Sequence, residues 1–265
     1  MNVGSLFSGI GGFDLGLERA GFTISWQVEI DPYCQRVLAK HWPTVPRYGD
    51  ICAVDWGTVE PVDVLCGGFP CQDLSFAGKR AGIDGARSGL WSEYVRAIRH
   101  LRPRYVLVEN VPGLLTNQYL GRVLGDLAQS GYDAEWDCIP ASAIGAPHRR
   151  DRVWIVAYAN KFDRQYVLGR ECSRTEQHGT GKCGASVADA NAARLEGYGG
   201  QYELRSYCSQ ITFSRNSWWE SEPNVGRVAH GIPSRVDRLK GLGNSIVPQI
   251  AEALGKMILA SGRGA

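Results

Sequence analysis

The sequence predicts an α/β fold in which a mostly parallel sheet carries helices on both faces, together with a small second lobe. Three observations support this expectation. Strand-like and helix-like segments alternate over about the first 160 residues, a glycine-rich turn joins the first strand to the first helix, and the alternation then stops. A chain of 265 residues with 44% hydrophobic content can form one large core, or one domain plus a lobe.

The first four elements each carry a local signal. Residues 2–6 are a short strand that leads into the glycine-rich loop. Residues 13–20 have apolar side chains at helical spacing and stop at a glycine. Residues 23–30 are the second strand, and residues 32–41 are a helix opened by an Asp-Pro pair.

The later elements continue the same alternation. Residues 62–65 are a buried strand, and residues 90–101 form a helix with one apolar face. The strand at 105–108 delivers Glu109 and Asn110 to its carboxyl end. The remaining elements are a helix at 120–128, strands at 132–139 and 152–157, and a closing helix at 246–259.

The chain changes character near residue 160. Residues 161–224 are polar, glycine-rich and weakly periodic, and a structureless loop of that length is unusual inside a compact domain. A basic stretch at 227–240 follows. We therefore predict a large domain over residues 1–160, a lobe with its junction over residues 161–240, and a C-terminal helix over residues 241–265 that returns to the large domain.

Bulk composition excludes few classes of function. A net charge of +2 and a pI of about 8.1 neither require nor exclude a nucleic-acid partner, because binding depends on a local patch. The eight cysteines form no C-x-x-C pair, so we expect no metal site. Without a signal-peptide pattern or a bilayer-length apolar run, we expect a reduced cytoplasmic protein that does not enter a membrane.

One cysteine stands directly behind a proline at the end of an apolar segment. The run Gly68-Phe69-Pro70-Cys71-Gln72 follows the strand at 62–65, at the end of the strand where open α/β sheets place reactive groups. Cys71 is therefore a candidate nucleophile. The competing interpretation is that Cys71 is a small buried hydrophobic side chain. The Pro-Cys-Gln run alone supports the two interpretations about equally.

The loop Phe7-Ser8-Gly9-Ile10-Gly11-Gly12 follows the first strand and opens a helix. Its glycines let the backbone approach a cofactor, and Glu29 after the second strand is placed to hold ribose hydroxyls. The spacing is not G-x-G-x-x-G, which disfavours a dinucleotide. A tight turn without a ligand explains the glycines equally well. Asp50 could accept a hydrogen bond from an adenine amine, although a solvated loop aspartate is the simpler interpretation.

Charged residues stand at the ends of two further strands. Glu109 faces the cleft at the carboxyl edge of the sheet, and burial there would raise its pKa so that it could donate a proton. A salt bridge to an arginine is the alternative. Strand alternation predicts that Arg150 and Arg152 point the same way, which suits an anionic substrate or a carboxylate. A charged row on an edge strand is the competing explanation.

With these motifs in order, the chain resembles a cytosine-5 DNA methyltransferase of the bacterial and phage type. The resemblance covers the chain except for about residues 160–224, and His148 stands where many relatives carry glutamine. The basic stretch before Gly241 is also a poor match to the family. The motifs are Leu6-Phe7-Ser8-Gly9-Ile10-Gly11-Gly12-Phe13, Glu29, Asp50-Ile51, Gly68-Phe69-Pro70-Cys71-Gln72, Glu109-Asn110-Val111, Arg150-x-Arg152 and Gly243-Asn244-Ser245.

The resemblance implies a Rossmann-like, S-adenosylmethionine-dependent methyltransferase domain with a small target-recognition lobe. It makes Cys71 the nucleophile on carbon 6 of a flipped-out cytosine. Glu109 would contact ring nitrogen 3 and the exocyclic amine, and Arg152 with Arg150 would stabilise the activated base. The residues implied to hold S-adenosylmethionine are Phe7, Gly9, Ile10, Gly11, Gly12, Glu29, Ile30, Asp50, Ile51, Pro70, Asn244 and Ser245.

The resemblance also implies a mobile active-site loop over residues 73–89, which would close on the substrate. The expected reaction is methyl transfer to carbon 5 of cytosine in a specific sequence of double-stranded DNA, by a monomer. A cognate restriction endonuclease would act separately. The residues expected to meet the substrate on and beside this loop are Gln72, Ser75, Lys79, Arg80 and Arg87.

Three other functions remain open on the sequence. The same site could methylate cytosine in RNA, or the chain could be an inactive DNA-binding protein of the same fold. The intact Cys71, Glu109 and Asn244 argue against the inactive protein. A small-molecule methyltransferase is disfavoured by the separate aromatic and basic lobe.

Overall fold

The structure is a computed structural model that describes residues 1–70, 90–115, 119–159 and 234–261. The strands in these ranges are β1 (Asn2–Leu6), β2 (Thr23–Val28), β3 (Arg47–Tyr48), β4 (Val64–Gly67), β5 (Tyr105–Asn110), β6 (Tyr132–Pro140) and β7 (Asp151–Ala159). The helices are α1 (Gly12–Ala20), α2 (Pro32–His41), α3 (Leu90–Leu101), α4 (Tyr119–Gln129), α5 (Arg235–Asn244) and α6 (Pro248–Ser261). Within the described residues, no helix is both long and apolar enough to cross a bilayer.

All seven strands belong to one sheet, in the order β3-β2-β1-β4-β5-β7-β6. Neighbouring strands from β3 to β5 are parallel, whereas β7 is antiparallel to both β5 and β6. From β1 the chain proceeds to β2 and β3 on one side, and then crosses to β4 and β5 on the other. The strand order therefore reverses between β1 and β4, where open α/β sheets bind ligands at their carboxyl edge.

Each face of the sheet carries its own hydrophobic core. Side chains along β5 alternate between the two, so that Val106 packs into one core and Leu107 into the other. Helix α3 contributes Tyr94 to the first core, and α1 and α6 contribute Phe13 and Leu254 to the second. This arrangement confirms the predicted fold class, a mostly parallel sheet with helices on both faces.

Helix α6 packs on α1 at very short range, because glycines stand at the contact. A Cβ atom on Gly16 would lie 2.2 Å from the carbonyl oxygen of Pro248. On the other helix, a Cβ atom on Gly255 would lie 2.8 Å from the Cβ of Ala20. The closing helix therefore covers the same face as the first helix of the chain.

Helix α5 is the main element that the sequence did not predict. Gly241 and Gly243 lower its intrinsic helix propensity, so we predicted a basic stretch and a glycine-rich junction there. The helix spans the expected boundary between residues 240 and 241. Tertiary contact supports it, because a Cβ atom on Gly241 would lie 3.1 Å from Ile10. The predicted lobe at 161–224 lies outside the described residues.

The other differences from prediction concern the ends of elements. The second strand stops at Val28, so Glu29 and Ile30 lie in the loop that follows it. The fifth strand is longer than expected and includes Glu109 and Asn110. The closing helix begins at Pro248 rather than at residue 246.

Candidate active site

A cavity of about 570 Å³ opens at the carboxyl edge of the sheet, next to the point where the strand order reverses. A volume of this size suits a ligand as large as a nucleoside derivative. Its walls come from the segments that follow β1 to β5 and from α5. The predicted site residues on these walls are Phe7, Gly9, Glu29, Ile30, Asp50, Ile51, Pro70, Glu109, Arg152 and Asn244.

Glu29 organises the turn after β1. One of its carboxylate oxygens accepts a hydrogen bond from the amide of Gly9 at 2.7 Å, and the other accepts from the amide of Asp31 at 2.7 Å. Phe7 has a φ of 50° and Gly9 a φ of 57°, both in the left-handed region. A strained non-glycine residue in that region is typical of a functional turn. Each oxygen of Glu29 keeps acceptor capacity toward the cavity.

Four residues predicted to hold the cofactor are absent from the described cavity wall: Ile10, Gly11, Gly12 and Ser245. A Cβ atom on Gly11 would lie 2.4 Å from the ring of Trp42. On Gly12 it would lie 2.7 Å from the carbonyl oxygen of Ile246. Glycine at these two positions is therefore required by packing, as the tight-turn interpretation expects.

Apart from Asn244, helix α5 forms a cavity wall through residues that the sequence analysis did not select as site residues. The ammonium group of Lys240 lies 2.6 Å from a carboxylate oxygen of Asp31, 209 residues earlier in the chain. The other oxygen of Asp31 caps α2 by accepting from the amides of Tyr33 and Cys34. The hydrogen bond from Lys240 is the main cause that lowers the pKa of Asp31. The features of the sequence that could have indicated this ion pair were the basic stretch, which contains Lys240, and the Asp-Pro helix start, which contains Asp31.

Glu109 and Arg152 form an ion pair at the cavity wall. The Nε atom of Arg152 lies 3.0 Å from Oε1 of Glu109, and their side chains are only 19% and 11% exposed. Burial raises the pKa of Glu109 to about 7, against the opposing effect of Arg152 and Arg150. A Cβ atom on Gly68 would lie 2.8 Å from this carboxylate, so glycine permits the close approach. Glu109 can therefore hold or release a proton near neutral pH.

Asn110 fixes the backbone on the N-terminal side of the predicted nucleophile. Its side-chain amide donates a hydrogen bond to the carbonyl oxygen of Phe69 at 3.1 Å, and its side-chain oxygen accepts from the amide of Val111 at 2.9 Å. Pro70, the next residue after Phe69, lines the cavity. The predicted nucleophile and loop residues, Cys71, Gln72, Ser75, Lys79, Arg80 and Arg87, lie outside the described residues.

Arg150 and Arg152 have different partners, which strand alternation did not predict. Strand β7 begins at Asp151, and Arg150 before it has a left-handed φ of 39°, so the alternation does not extend to Arg150. Its guanidinium donates hydrogen bonds to the carbonyl oxygens of Gly243, at 2.8 Å, and Ser245. Of the two arginines, only Arg152 contacts the carboxylate of Glu109.

The residues around the cavity fit S-adenosylmethionine. The cavity lining includes the carboxylates of Glu29, Asp31, Asp50 and Asp237, of which Asp31 is paired with Lys240, and these acidic groups suit a sulfonium cation. Ile30 is 67% exposed at the wall and offers an apolar surface to a nucleobase. The remaining acceptor capacity of Glu29 suits a pair of hydroxyl groups.

Comparison with known proteins identifies the family. The family of C-5 cytosine-specific DNA methylases matches residues 1–212. The type II methyltransferase M2.BsuMI of Bacillus subtilis is 38% identical over 189 residues, which are 68% of this chain and 47% of that protein. The type II methyltransferase M.HhaI of Haemophilus parahaemolyticus is 32% identical over 163 residues, 60% of this chain and 50% of that protein. The chain thus spans about half the length of these curated relatives.

Solved structures agree on the fold. A prophage-encoded protein of E. coli, described as a DNA modification methyltransferase, superposes with a TM-score of 0.52 at 30% identity, over 60% of this chain and 47% of that one. The Dnmt2 methyltransferase of S. pombe superposes with a TM-score of 0.53 at 22% identity, over 63% of this chain and 53% of that protein. The sheet therefore has the Rossmann-like fold of these solved structures. The chain belongs to the C-5 cytosine-specific DNA methylase family, which confirms the predicted resemblance.

Proposed function

We propose that the protein transfers a methyl group from S-adenosylmethionine to carbon 5 of a flipped-out cytosine in double-stranded DNA. The observation that carries the proposal is the buried Glu109, whose pKa of about 7 and contact with Arg152 place an acid at a cavity wall. The cavity that this wall encloses fits the methyl donor. Family membership and the similarity to named type II methyltransferases support the same reaction.

The proposed reaction uses Glu109 as an acid and Cys71 as a nucleophile. Protonated Glu109 donates a hydrogen bond to ring nitrogen 3 of cytosine, which makes carbon 6 more electrophilic. The thiolate of Cys71 forms a bond to carbon 6, and the electron pair of the ring double bond becomes available at carbon 5. S-adenosylmethionine supplies an electrophilic methyl group when bound. A base then removes the proton on carbon 5, the electron pair of that bond re-forms the double bond between carbons 5 and 6, and the bond between carbon 6 and sulfur breaks to release the Cys71 thiolate.

Arg152 keeps Glu109 in place for this step. Its guanidinium lies 3.0 Å from the carboxyl group and opposes the rise in the pKa of Glu109 that burial causes. The remaining face of the guanidinium is available to the cytosine, because Arg152 also lines the cavity. The balance between burial and this charge keeps the pKa of Glu109 close to the pH of a cell, where both proton donation and release are possible.

The target atoms of a stacked cytosine are inaccessible, so the base must leave the duplex before reaction. Lys79, Arg80 and Arg87 in the segment 73–89 are proposed to meet DNA phosphates. Residues 161–240 are proposed to contain the target-recognition lobe. We further propose that the protein acts as a monomer in the cytoplasm, with any cognate restriction endonuclease acting as a separate protein.

The test is transfer of a labelled methyl group from S-adenosylmethionine to duplex DNA by wild type and by Cys71→Ala. We expect Cys71→Ala to lose transfer while it still binds the cofactor. Cys52→Ala is the matched control, because Cys52 is an exposed free thiol in the same domain. Transfer at the wild-type rate by Cys71→Ala would refute the covalent mechanism. Transfer to tRNA but not to duplex DNA would favour the RNA enzyme, and absence of cofactor binding would favour the inactive DNA-binding protein.

A further inference from the structure

Arg150 joins two parts of the chain that are far apart in sequence. Its Nη2 atom donates a hydrogen bond to the carbonyl oxygen of Gly243 at 2.8 Å and another to that of Ser245. These partners lie 93 and 95 residues further along the chain. Since Arg152 contacts Glu109, the short segment before and within β7 reaches both the acid and the C-terminal wall of the cavity.

The two carbonyl groups lie at the C-terminal end of α5. The last carbonyls of a helix have no partner within the helix, and they carry the negative end of its dipole. A guanidinium that donates to them satisfies their hydrogen-bonding capacity and places a positive charge where the dipole favours it. Arg150 therefore acts as a C-terminal cap supplied by another part of the fold.

Within the described residues, helix α5 buries few apolar side chains. Val236, Leu239 and Leu242 are 78%, 60% and 63% exposed in the described structure. In the part of the chain that the structure describes, polar contacts therefore carry much of the attachment of this helix, and Arg150 supplies two of them. The ion pair between Lys240 and Asp31 supplies another nearer the middle of the helix.

The end of α5 is a wall of the cavity, and Arg150 bonds to that end. Gly243 and Asn244 line the cavity, as do Glu109 and Arg152, but Arg150 is absent from its described lining. The side chain of Arg150 is nevertheless close enough to Glu109 for its charge to lower the pKa of that residue. Arg150 is thus placed to fix the position of the cavity wall at the end of α5.

We propose that Arg150 is a positioning residue that holds the cavity wall at residues 243–245 in place relative to the Glu109–Arg152 pair. This inference rests on the proposed function, because that function assigns the wall at residues 243–245 to the cofactor and the Glu109–Arg152 pair to the cytosine. Loss of the Arg150 contacts frees the wall that meets the cofactor. Cofactor affinity falls for that reason, whereas substitution of Arg152 changes the chemical step.

The experiment compares Arg150→Gln, Arg150→Lys and Arg152→Gln with wild type. Calorimetry gives the Kd of S-adenosylmethionine without DNA, and labelled transfer at saturating cofactor gives kcat and its pH profile. We expect Arg150→Gln to raise the Kd about tenfold, as for loss of a charged hydrogen bond. Arg150→Lys should raise the Kd by less, since it keeps the charge but not the fork of donors. Arg152→Gln should lower kcat with a Kd close to that of wild type.

The pH profile separates the charge of Arg150 from its hydrogen bonds. Arg150→Gln removes a positive charge that lowers the pKa of Glu109, so the alkaline decline of kcat should move to higher pH. Arg150→Lys keeps the charge and should leave that decline in place. A role in overall stability alone would not produce this difference between the two variants.

Hydrogen exchange of the cofactor-free protein gives a result that does not depend on the proposed function. Peptides from residues 235–245 should exchange faster in Arg150→Gln than in wild type, while peptides from β5 should not change. Wild-type cofactor affinity in both Arg150 variants, or unchanged exchange at 235–245, would overturn the inference. A wild-type protein that does not bind S-adenosylmethionine would refute the proposed function, and exchange alone would then decide whether Arg150 positions α5.

Discussion

Replacement of Glu109 by glutamine should make the protein more stable above neutral pH, although it removes half of a buried ion pair. The pKa of Glu109 is raised from an ordinary value of 4.5 to about 7, and the first cause is burial. The folded state therefore holds this proton more tightly than the unfolded state does. Its contribution is most favourable below pH 4.5, is lost as the pH rises through 7, and is constant above that.

The size of the effect follows from the difference in pKa. One unit corresponds to about 1.4 kcal/mol, so the rise from 4.5 to about 7 costs roughly 3 kcal/mol of unfolding free energy at alkaline pH. Glutamine resembles the protonated acid in shape and has no charge to desolvate. The Glu109→Gln variant should match wild type near pH 4.5 and exceed its stability by roughly 3 kcal/mol at pH 8.

Urea unfolding of both proteins from pH 4.5 to pH 8.5 measures this difference. Glu60→Gln serves as the control, because it removes a carboxylate from an exposed position in the same domain. A stability difference between Glu109→Gln and wild type that stays constant with pH would show that burial does not disfavour the Glu109 carboxylate. The proposed role of Glu109 as a proton donor near neutral pH would then lose its physical basis.

Three further predictions concern Asp14, Gly16 and Glu29. Burial raises the pKa of Asp14 from 3.8 to about 6, so Asp14→Asn should gain about 3 kcal/mol relative to wild type between pH 4 and pH 8 in urea unfolding, and no gain would refute this. Gly16→Ala should destabilise by about 1–3 kcal/mol, because its Cβ would meet Pro248, whereas Gly125→Ala in α4 meets no atom within 4 Å and should stabilise by up to about 1 kcal/mol. Equal unfolding midpoints for the two alanine variants would contradict the packing of α1 on α6. Glu29→Gln should weaken cofactor binding about tenfold by calorimetry, because an amide offers one acceptor where two backbone amides donate, and unchanged affinity would contradict that geometry.

Local signals in the sequence predicted most of the sheet. The helix at 32–41 matches α2 because Asp31 caps its first turn and proline begins it. The strand at 2–6 and the helix at 90–101 also match, since alternation and helical spacing are properties of a few neighbouring residues. The errors lie at positions such as Glu109, where pairing with β7 extends the strand beyond its apolar run.

The site residues also divide into those that local sequence predicts and those that depend on contacts between distant parts of the chain. Residues that follow a strand, such as Glu29 and Asp50, were found because parallel strands bring their carboxyl ends together. Lys240 was read only as part of a basic stretch, because its partner Asp31 is 209 residues away. Gly11 and Gly12 were assigned to the cofactor, but their neighbours Trp42 and Ile246 are visible only in the folded chain.

The sequence by itself determined the alternation of strands and helices, the family, and the candidate chemistry of Cys71 and Glu109, because each rests on residue types at short spacing. The tertiary structure decided the rest. It decided that glycine-containing residues 235–244 form a helix, that Arg150 bonds to that helix rather than to Glu109, and that Glu109 is buried deeply enough to keep its proton near neutral pH. These properties depend on desolvation and on contacts across about 90 to 200 residues, which no local pattern records.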